Sequence, residues 1–104
     1  FLRRNADDLL SMLSTWYQSD VSDNEIYNGN LSAALGAIKG RTMIMPSRTD
    51  LYFTPEDAEA ECAQIPKAEF RPIESIWGHR AGNPIDNSED EAFLRAAVRQ
   101  LLEA

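Results

Sequence analysis

The fold is decided by residues 40–50, which read Gly-Arg-Thr-Met-Ile-Met-Pro-Ser-Arg-Thr-Asp. The centre of this stretch, Thr42 to Met45, is a short continuous run of large apolar and β-branched residues between a glycine and a proline. Such a run is typical of a strand that is buried on both faces, as in a parallel sheet. The loop after the strand carries Asp50, four residues beyond Pro46.

A second strand is predicted over residues 69–76. It contains Pro72, which cannot donate a hydrogen bond to a ladder, so we expect this strand at or near an edge of the sheet. His79 follows three residues beyond Ile76, and Gly78 permits a tight turn directly before it. Each predicted strand is therefore followed by a residue that can take part in acid–base chemistry.

Helical periodicity surrounds the two strands. It predicts helices at residues 6–18, 31–39 and 55–64 and a final helix from residue 88. Thr54 is the expected N-cap of the third helix, with Pro55 at its first position. From residue 31 the order is helix, strand, helix, strand, helix, which predicts an α/β fold with parallel strands. Two strands are too few for an independent sheet of this type. Since the sequence also starts at Phe1 without an initiator methionine, we expect a piece of a longer protein.

Asp50 and His79 are the predicted catalytic residues. Sites in parallel α/β sheets lie beyond the carboxyl ends of the strands, so both residues are expected at one edge. An aspartate there can accept the imidazole Nδ1–H and stabilise the imidazolium, which leaves the other ring nitrogen free to act as a general base. The acid precedes the base, as in α/β hydrolases, but the sequence contains no Gly-x-Ser-x-Gly nucleophile elbow.

A second interpretation, in which Asp50 and His79 have only structural roles, stays open. A lone histidine in a loop is usually structural, and an aspartate after a strand is often a turn residue. The chain would then be a catalytically silent interaction fragment. Four serines could in principle be nucleophiles, but none lies in a glycine-flanked turn from strand to helix: Ser11, Ser14, Ser47 and Ser75.

Composition excludes several classes of protein. Hydrophobic residues make up 43% and charged residues 26%, which is typical of a soluble globular protein. The net charge of −7, with Arg3–Arg4 as the only adjacent basic pair, argues against nucleic-acid binding. One cysteine, Cys62, allows no intrachain disulfide and no cysteine-based metal site, and it fits a cytoplasmic location. We predict no metal, and no membrane span because no apolar run approaches roughly 20 residues.

The sequence resembles the homoserine O-acetyltransferase-like branch of the α/β-hydrolase superfamily. The most distinctive motifs are Asp-Leu-Tyr-Phe at 50–53 and Trp-Gly-His at 77–79. The resemblance covers nearly the whole chain, through several segments in order: residues 5–13 with 15–16, 28–35, 45–55, 65–66 with 68–69, and 74–79.

This resemblance implies the C-terminal part of an α/β-hydrolase fold: the last two parallel strands with flanking helices, plus an N-terminal lid helix. Residues 1–30 would be the end of the helical lid and a connection, and residues 31–104 the C-terminal portion of the core. Members often dimerise through the lid, which agrees with an aromatic stripe at Trp16 and Tyr17. We therefore expect a homodimer through the lid helices.

The chemistry implied by the resemblance is acyl transfer through an acyl-enzyme. A serine takes an acetyl group from acetyl-CoA and passes it to the hydroxyl of a small-molecule acceptor, with Asp50 and His79 at the acid and base positions. No bound cofactor is expected. The serine would come from the upstream part of the same enzyme or from a second chain, so this chain alone is expected to be inactive.

One departure from the family concerns the acceptor. Acetyltransferases for homoserine typically have an acidic residue directly after the histidine, whereas this sequence has Arg80. A reversed charge there should repel an ammonium group, so homoserine is not the expected substrate. Arg80 and Tyr52 are the predicted substrate-binding residues, although Tyr52 could equally pack against the adjacent helix. The alternatives are a transferase with another acceptor and an esterase that uses water.

Overall fold

Two compact units make up the chain, Phe1–Ala34 and Leu35–Ala104. A computed structural model describes residues 5–103. The predictions that concern Phe1, Arg3 and Arg4 fall outside the described residues.

The first unit is built on helix α1, Ala6–Gln18, with the predicted bounds. Asn5 is its N-cap, since the Asn5 side chain accepts a hydrogen bond of 2.8 Å from the amide of Asp7. A polar connection follows, and in it Asn28 and Gly29 both adopt left-handed backbone angles, with φ of 48° and 80°. These angles confirm the turn that an Asn-Gly pair predicts.

Helix α1 exposes large apolar side chains. Its amphipathic pattern predicts that they are buried against another subunit or domain. Trp16 is 50% exposed and Tyr17 is 89% exposed. Leu10, Met12 and Leu13 are exposed as well. Pairing of two copies through this helix stays a prediction.

Helix α2, Leu31–Gly36, is shorter than predicted. It begins after Asn30, whose side chain accepts a hydrogen bond from the amide of Ala33. The apolar pattern continues to Lys39, but the helix ends at Gly36 because glycine has a low helix propensity.

The second unit contains two short parallel strands, β1 (Thr42–Ile44) and β2 (Ala68–Phe70). Met43 lies opposite Glu69, so the predicted parallel pairing is confirmed. The side chains of β1 are half-buried, so the predicted burial of this strand on both faces is wrong for the described chain. Within the described residues, β1 and β2 form a two-stranded sheet, and helix α3 packs against both strands.

The strands end earlier than the apolar pattern predicts. Pro46 and Pro72 lack the N–H groups that would continue the ladder. Beyond Phe70 a single isolated bridge joins Ser47 to Ile73, and the Ile73 amide donates to the Pro46 carbonyl at 2.8 Å. The predicted strand over residues 69–76 is therefore three residues of ladder followed by an extended loop.

Helix α3, Pro55–Cys62, begins as predicted. The Thr54 hydroxyl accepts a hydrogen bond from the amide of Asp57 at 3.3 Å. The helix ends two residues before the predicted Gln64 and continues as hydrogen-bonded turns. Its last residue, Cys62, is buried, as expected for a small hydrophobic residue. Burial, together with the charge of Glu59, raises the pKa of the Cys62 thiol, which makes it a poor nucleophile.

Helix α4, Ser88–Glu103, is held at both ends. At its start the Asn87 side chain accepts a hydrogen bond of 3.1 Å from the amide of Asp90. Near its end the Arg41 guanidinium donates to the carbonyl of Leu101 at 3.3 Å, and Arg71 donates to the side chain of Gln100. The core of this unit consists of five small and branched residues: Cys62, Ile65, Ile73, Ala81 and Ala97.

Among residues 5–103, no helix is both long and apolar enough to cross a membrane.

Candidate active site

The structure brings the predicted acid and base together. Asp50 lies in the loop after β1, and His79 lies in a short 3₁₀ helix, Gly78–Gly82, where sequence analysis predicts only a loop. The Oδ2 atom of Asp50 is 2.9 Å from Nδ1 of His79. The two side chains therefore form a hydrogen-bonded pair at one end of the sheet, although both strands are shorter than predicted.

The carboxylate of Asp50 is buried and held by several donors. Its side chain is 7% exposed. The Oδ1 atom accepts hydrogen bonds from the amides of Tyr52 at 2.7 Å and Phe53 at 3.2 Å. Burial pushes the pKa of Asp50 upward, but the hydrogen bonds from His79 and from the two amides outweigh it and hold the pKa below its ordinary value. Asp50 is thus ionised at neutral pH and accepts from Nδ1–H of His79.

The hydrogen bond to Asp50 leaves Nε2 of the His79 imidazole unengaged by the carboxylate. The side chain is 58% exposed, and the hydrogen bond to Asp50 engages Nδ1. With Nδ1–H donated to a carboxylate, Nε2 carries the lone pair that a general base needs. The rings of Tyr52 and Phe53 lie against the imidazole, with centroids 5.3 Å and 5.4 Å from its own. These rings restrict the orientation of the histidine.

Thr49 and Gly78 connect the two loops next to the pair. The Thr49 hydroxyl donates to the Ser75 carbonyl at 2.8 Å and accepts from the Gly78 amide at 3.1 Å. Gly78 has a φ of +56°, which favours glycine, and a Cβ there would lie 3.4 Å from the Thr49 carbonyl oxygen. The tight turn predicted at Gly78 is present. The role of Thr49 was missed because it depends on contacts across 29 residues of sequence.

A buried polar network lies behind the loop that carries His79. The Ser75 hydroxyl donates to Oδ2 of Asp90 at 2.5 Å and accepts from the Trp77 amide at 3.1 Å. Asn87 donates to the same Asp90 oxygen at 2.6 Å. The helical pattern around Asp90 does not predict this network.

The four serines considered as nucleophiles lie in unsuitable places. Ser47 and Ser75 are buried, at 4% and 8% exposure, and the Ser75 hydroxyl is engaged by Asp90. Ser11 and Ser14 lie on helix α1. None of the four lies in a glycine-flanked turn from a strand to a helix. Across residues 5–103, no group of three or more His, Cys, Asp or Glu side chains could hold a metal ion.

The two predicted substrate-binding residues both lie close to His79. The Arg80 guanidinium stacks over the Trp77 ring at 5.1 Å from its centroid. An open cleft of about 500 Å³ lies beside it. Its walls are formed by His79, Arg80, Gly82, Asn83 and Ile85. Tyr52 is 67% exposed, and its ring centroid lies 5.3 Å from that of the imidazole.

Solved structures share this arrangement of elements. The acetyl esterase MekB matches 97% of the chain with a TM-score of 0.80 and 36% identity, and the chain covers 28% of that protein. An acetylester hydrolase from Corynebacterium glutamicum matches 97% of the chain with a TM-score of 0.83 and 33% identity, again over 28% of its own length. The chain therefore has the fold of a segment of an α/β hydrolase.

Curated relatives agree with this class. The chain is 42% identical over 79 residues to an ethyl acetate hydrolase from Pseudomonas veronii and 40% identical over 79 residues to a probable esterase from Corynebacterium glutamicum. It is 32% identical over 72 residues to a homoserine O-acetyltransferase from Cyclobacterium marinum. These matches cover 76%, 76% and 66% of the chain. The chain spans 22%, 22% and 20% of the lengths of these relatives. No protein-family model matches the sequence.

Proposed function

We propose that this chain supplies the acid and the base of a serine-dependent hydrolase that acts on small, neutral acetyl esters. The observation that carries the proposal is the hydrogen bond of 2.9 Å between Asp50 and His79. A catalytic triad needs an ionised aspartate bound to Nδ1 of a histidine, and an imidazole whose Nε2 a serine hydroxyl can reach. The buried Asp50 and the exposed His79 meet these two requirements. The serine comes from the preceding part of the same enzyme or from a second chain.

In the proposed reaction, Nε2 of His79 takes the proton of the serine hydroxyl as the serine oxygen attacks the ester carbonyl. The same proton then passes to the departing alkoxide, which leaves as an alcohol, and the acetyl group stays on the serine. Water next attacks the acetyl carbonyl while Nε2 takes one of its protons, and acetic acid leaves as that proton passes to the serine oxygen. Asp50 keeps the imidazole in the tautomer that both steps need and stabilises the imidazolium.

Hydrolysis is favoured over the acetyl transfer that the sequence resemblance implies. The two esterase relatives are 42% and 40% identical to the chain, whereas the acetyltransferase is 32% identical. Arg80 lines the cleft beside His79, and its positive charge would repel an ammonium acceptor that entered the cleft. Hydrolysis needs no acetyl-CoA and no acceptor besides water. The similarity to the acetyltransferase makes transfer from acetyl-CoA to a hydroxyl acceptor the second candidate.

The test uses the full-length protein that contains this chain. Hydrolysis of ethyl acetate and para-nitrophenyl acetate is measured for the wild type and for the variants Asp50→Asn and His79→Ala. We expect kcat to fall by about 10⁴-fold in Asp50→Asn and by about 10⁶-fold in His79→Ala, as for other triads. Asp23→Asn, an exposed turn residue of the first unit, is the matched control and should keep wild-type kcat.

Two results would contradict the proposal. One is near-wild-type ester hydrolysis in Asp50→Asn and His79→Ala. The other is efficient acetylation of homoserine by acetyl-CoA without hydrolysis of simple acetyl esters, which would favour the second candidate.

Pairing of two copies through helix α1 is part of the proposal, and the oligomeric state of Trp16→Ala measured by light scattering tests it separately.

A further inference from the structure

Thr49 is the residue through which the loop of the acid contacts the loop of the base. It directly precedes Asp50, and its hydroxyl bonds to Gly78, which directly precedes His79. We propose that Thr49 is a positioning residue that holds the carboxylate of Asp50 within hydrogen-bond distance of His79. The inference rests on the proposed function for its catalytic consequence, but not for the geometry that it predicts.

The sheet itself does not hold these loops together. The ladder of β1 and β2 ends at Ile44 and Phe70, and the last backbone pairing beyond it joins Ser47 to Ile73. Past that bridge, the separation of the two loops depends on side chains. The Thr49 hydroxyl makes two bonds there, one as a donor and one as an acceptor, which together orient it in a single way.

The partner of Thr49 is itself well anchored. Thr49 donates to the carbonyl of Ser75, which is buried and whose hydroxyl is bound to the buried Asp90 at the start of helix α4. The loop of the base is therefore attached to a helix, and Thr49 attaches the loop of the acid to that same support. The arrangement transmits the position of helix α4 to Asp50 through two side chains.

An ion pair also links the two loops, but it is weaker. Arg48 and Glu74 form an ion pair of 2.8 Å, but their side chains are 48% and 70% exposed. Exposed ion pairs contribute little because water and salt screen them. Thr49 also lies at the surface of the described chain, so its replacement should cost little folding stability. An effect on the catalytic pair can then be separated from unfolding.

The experiment compares Thr49→Val, which removes the hydroxyl but keeps the shape, with Thr49→Ser, which keeps the hydroxyl. Thr42→Val is the matched control, because the Thr42 hydroxyl bonds only locally, to the carbonyl of Gly40. In the full-length protein without substrate, the low-field proton resonance of Nδ1–H is recorded and is assigned by its absence in His79→Ala. The kcat and KM for para-nitrophenyl acetate are measured in parallel.

For Thr49→Val we expect the resonance to be lost or broadened and kcat to fall by about 10- to 100-fold with KM little changed, because misplacement of catalytic groups affects the chemical step. Thr49→Ser and Thr42→Val should keep the resonance and kcat. An unchanged resonance and kcat in Thr49→Val would overturn the inference, and so would equal losses in Thr49→Val and Thr49→Ser. If the wild type hydrolyses no ester but the resonance responds as expected, the positioning role stands and the proposed function fails.

Discussion

Ser75 and Asp90 share a hydrogen bond of 2.5 Å in which both residues are buried, with exposures of 8% and 5%. Replacing Ser75 with alanine leaves the amide of Trp77 without its acceptor and removes one of the two donors to Oδ2 of Asp90. We expect the free energy of unfolding to fall by about 1–3 kcal/mol, measured by urea denaturation. Ser88→Ala, at an exposed position of helix α4, should leave it unchanged. Equal stability of the two variants would show that the network does not support the fold.

Gly78 is predicted to be the least replaceable glycine of the second unit. Its φ of +56° strains any other residue, and a Cβ would touch the carbonyl of Thr49 at 3.4 Å. Gly78→Ala should lower the free energy of unfolding by about 1–2 kcal/mol and lower kcat as well, because the shift reaches His79. Gly40→Ala is the control, since nothing lies within 4 Å of its added Cβ. A Gly78→Ala variant as stable as Gly40→Ala would contradict the strain argument.

Asp50 makes stability depend on pH in a defined direction. Its folded-state pKa lies below the ordinary value of 3.8. The stabilisation is therefore complete above that value and is lost as pH falls through the lower pKa of the folded state. The difference in free energy of unfolding between the wild type and Asp50→Asn should be constant down to about pH 4 and shrink below it. Urea denaturation across this range measures the difference, and a gap that widens in acid would refute the prediction.

Arg80 is predicted to select against cationic substrates. It lines the cleft beside His79 and carries a permanent positive charge. Arg80→Glu should raise the ratio of kcat/KM for acetylcholine to that for its uncharged carbon analogue by about tenfold, since a favourable contact of this kind is worth about 1 kcal/mol or more. Arg95→Glu, an exposed position on helix α4, is the control. An unchanged ratio in Arg80→Glu would remove Arg80 from the substrate-binding surface.

Local chemistry made much of this fold predictable. Helix α1 has the predicted bounds, and helix α3 begins at the Thr54–Pro55 pair because capping and a preset φ act within a few residues. The parallel pairing followed from the alternation of helices and strands. The ends of the strands were less predictable. Apolar side chains extend the pattern to Ile76, whereas the missing N–H groups of the two prolines stop the ladder.

The meeting of Asp50 and His79 was predictable, but the residues that support the pair were not. Asp50 and His79 could be singled out because each follows a strand and parallel strands end at one edge. The histidine nevertheless lies in a 3₁₀ helix nine residues after β2, and the pair is aligned by Thr49 and by the network of Ser75 with Asp90. Threonine and serine are common in loops, so their sequence positions carry no such signal.

The sequence by itself determined which residues could act as acid and base, because their side-chain chemistry does not depend on the fold. It also determined at which end of a parallel sheet they would lie, because the order of helices and strands follows from local patterns. The tertiary structure alone decided that Oδ2 of Asp50 and Nδ1 of His79 come within 2.9 Å. That distance depends on hydrogen bonds between residues 15 to 29 positions apart, such as Ser75 with Asp90 and Thr49 with Gly78. Such contacts form only after the chain has folded back on itself.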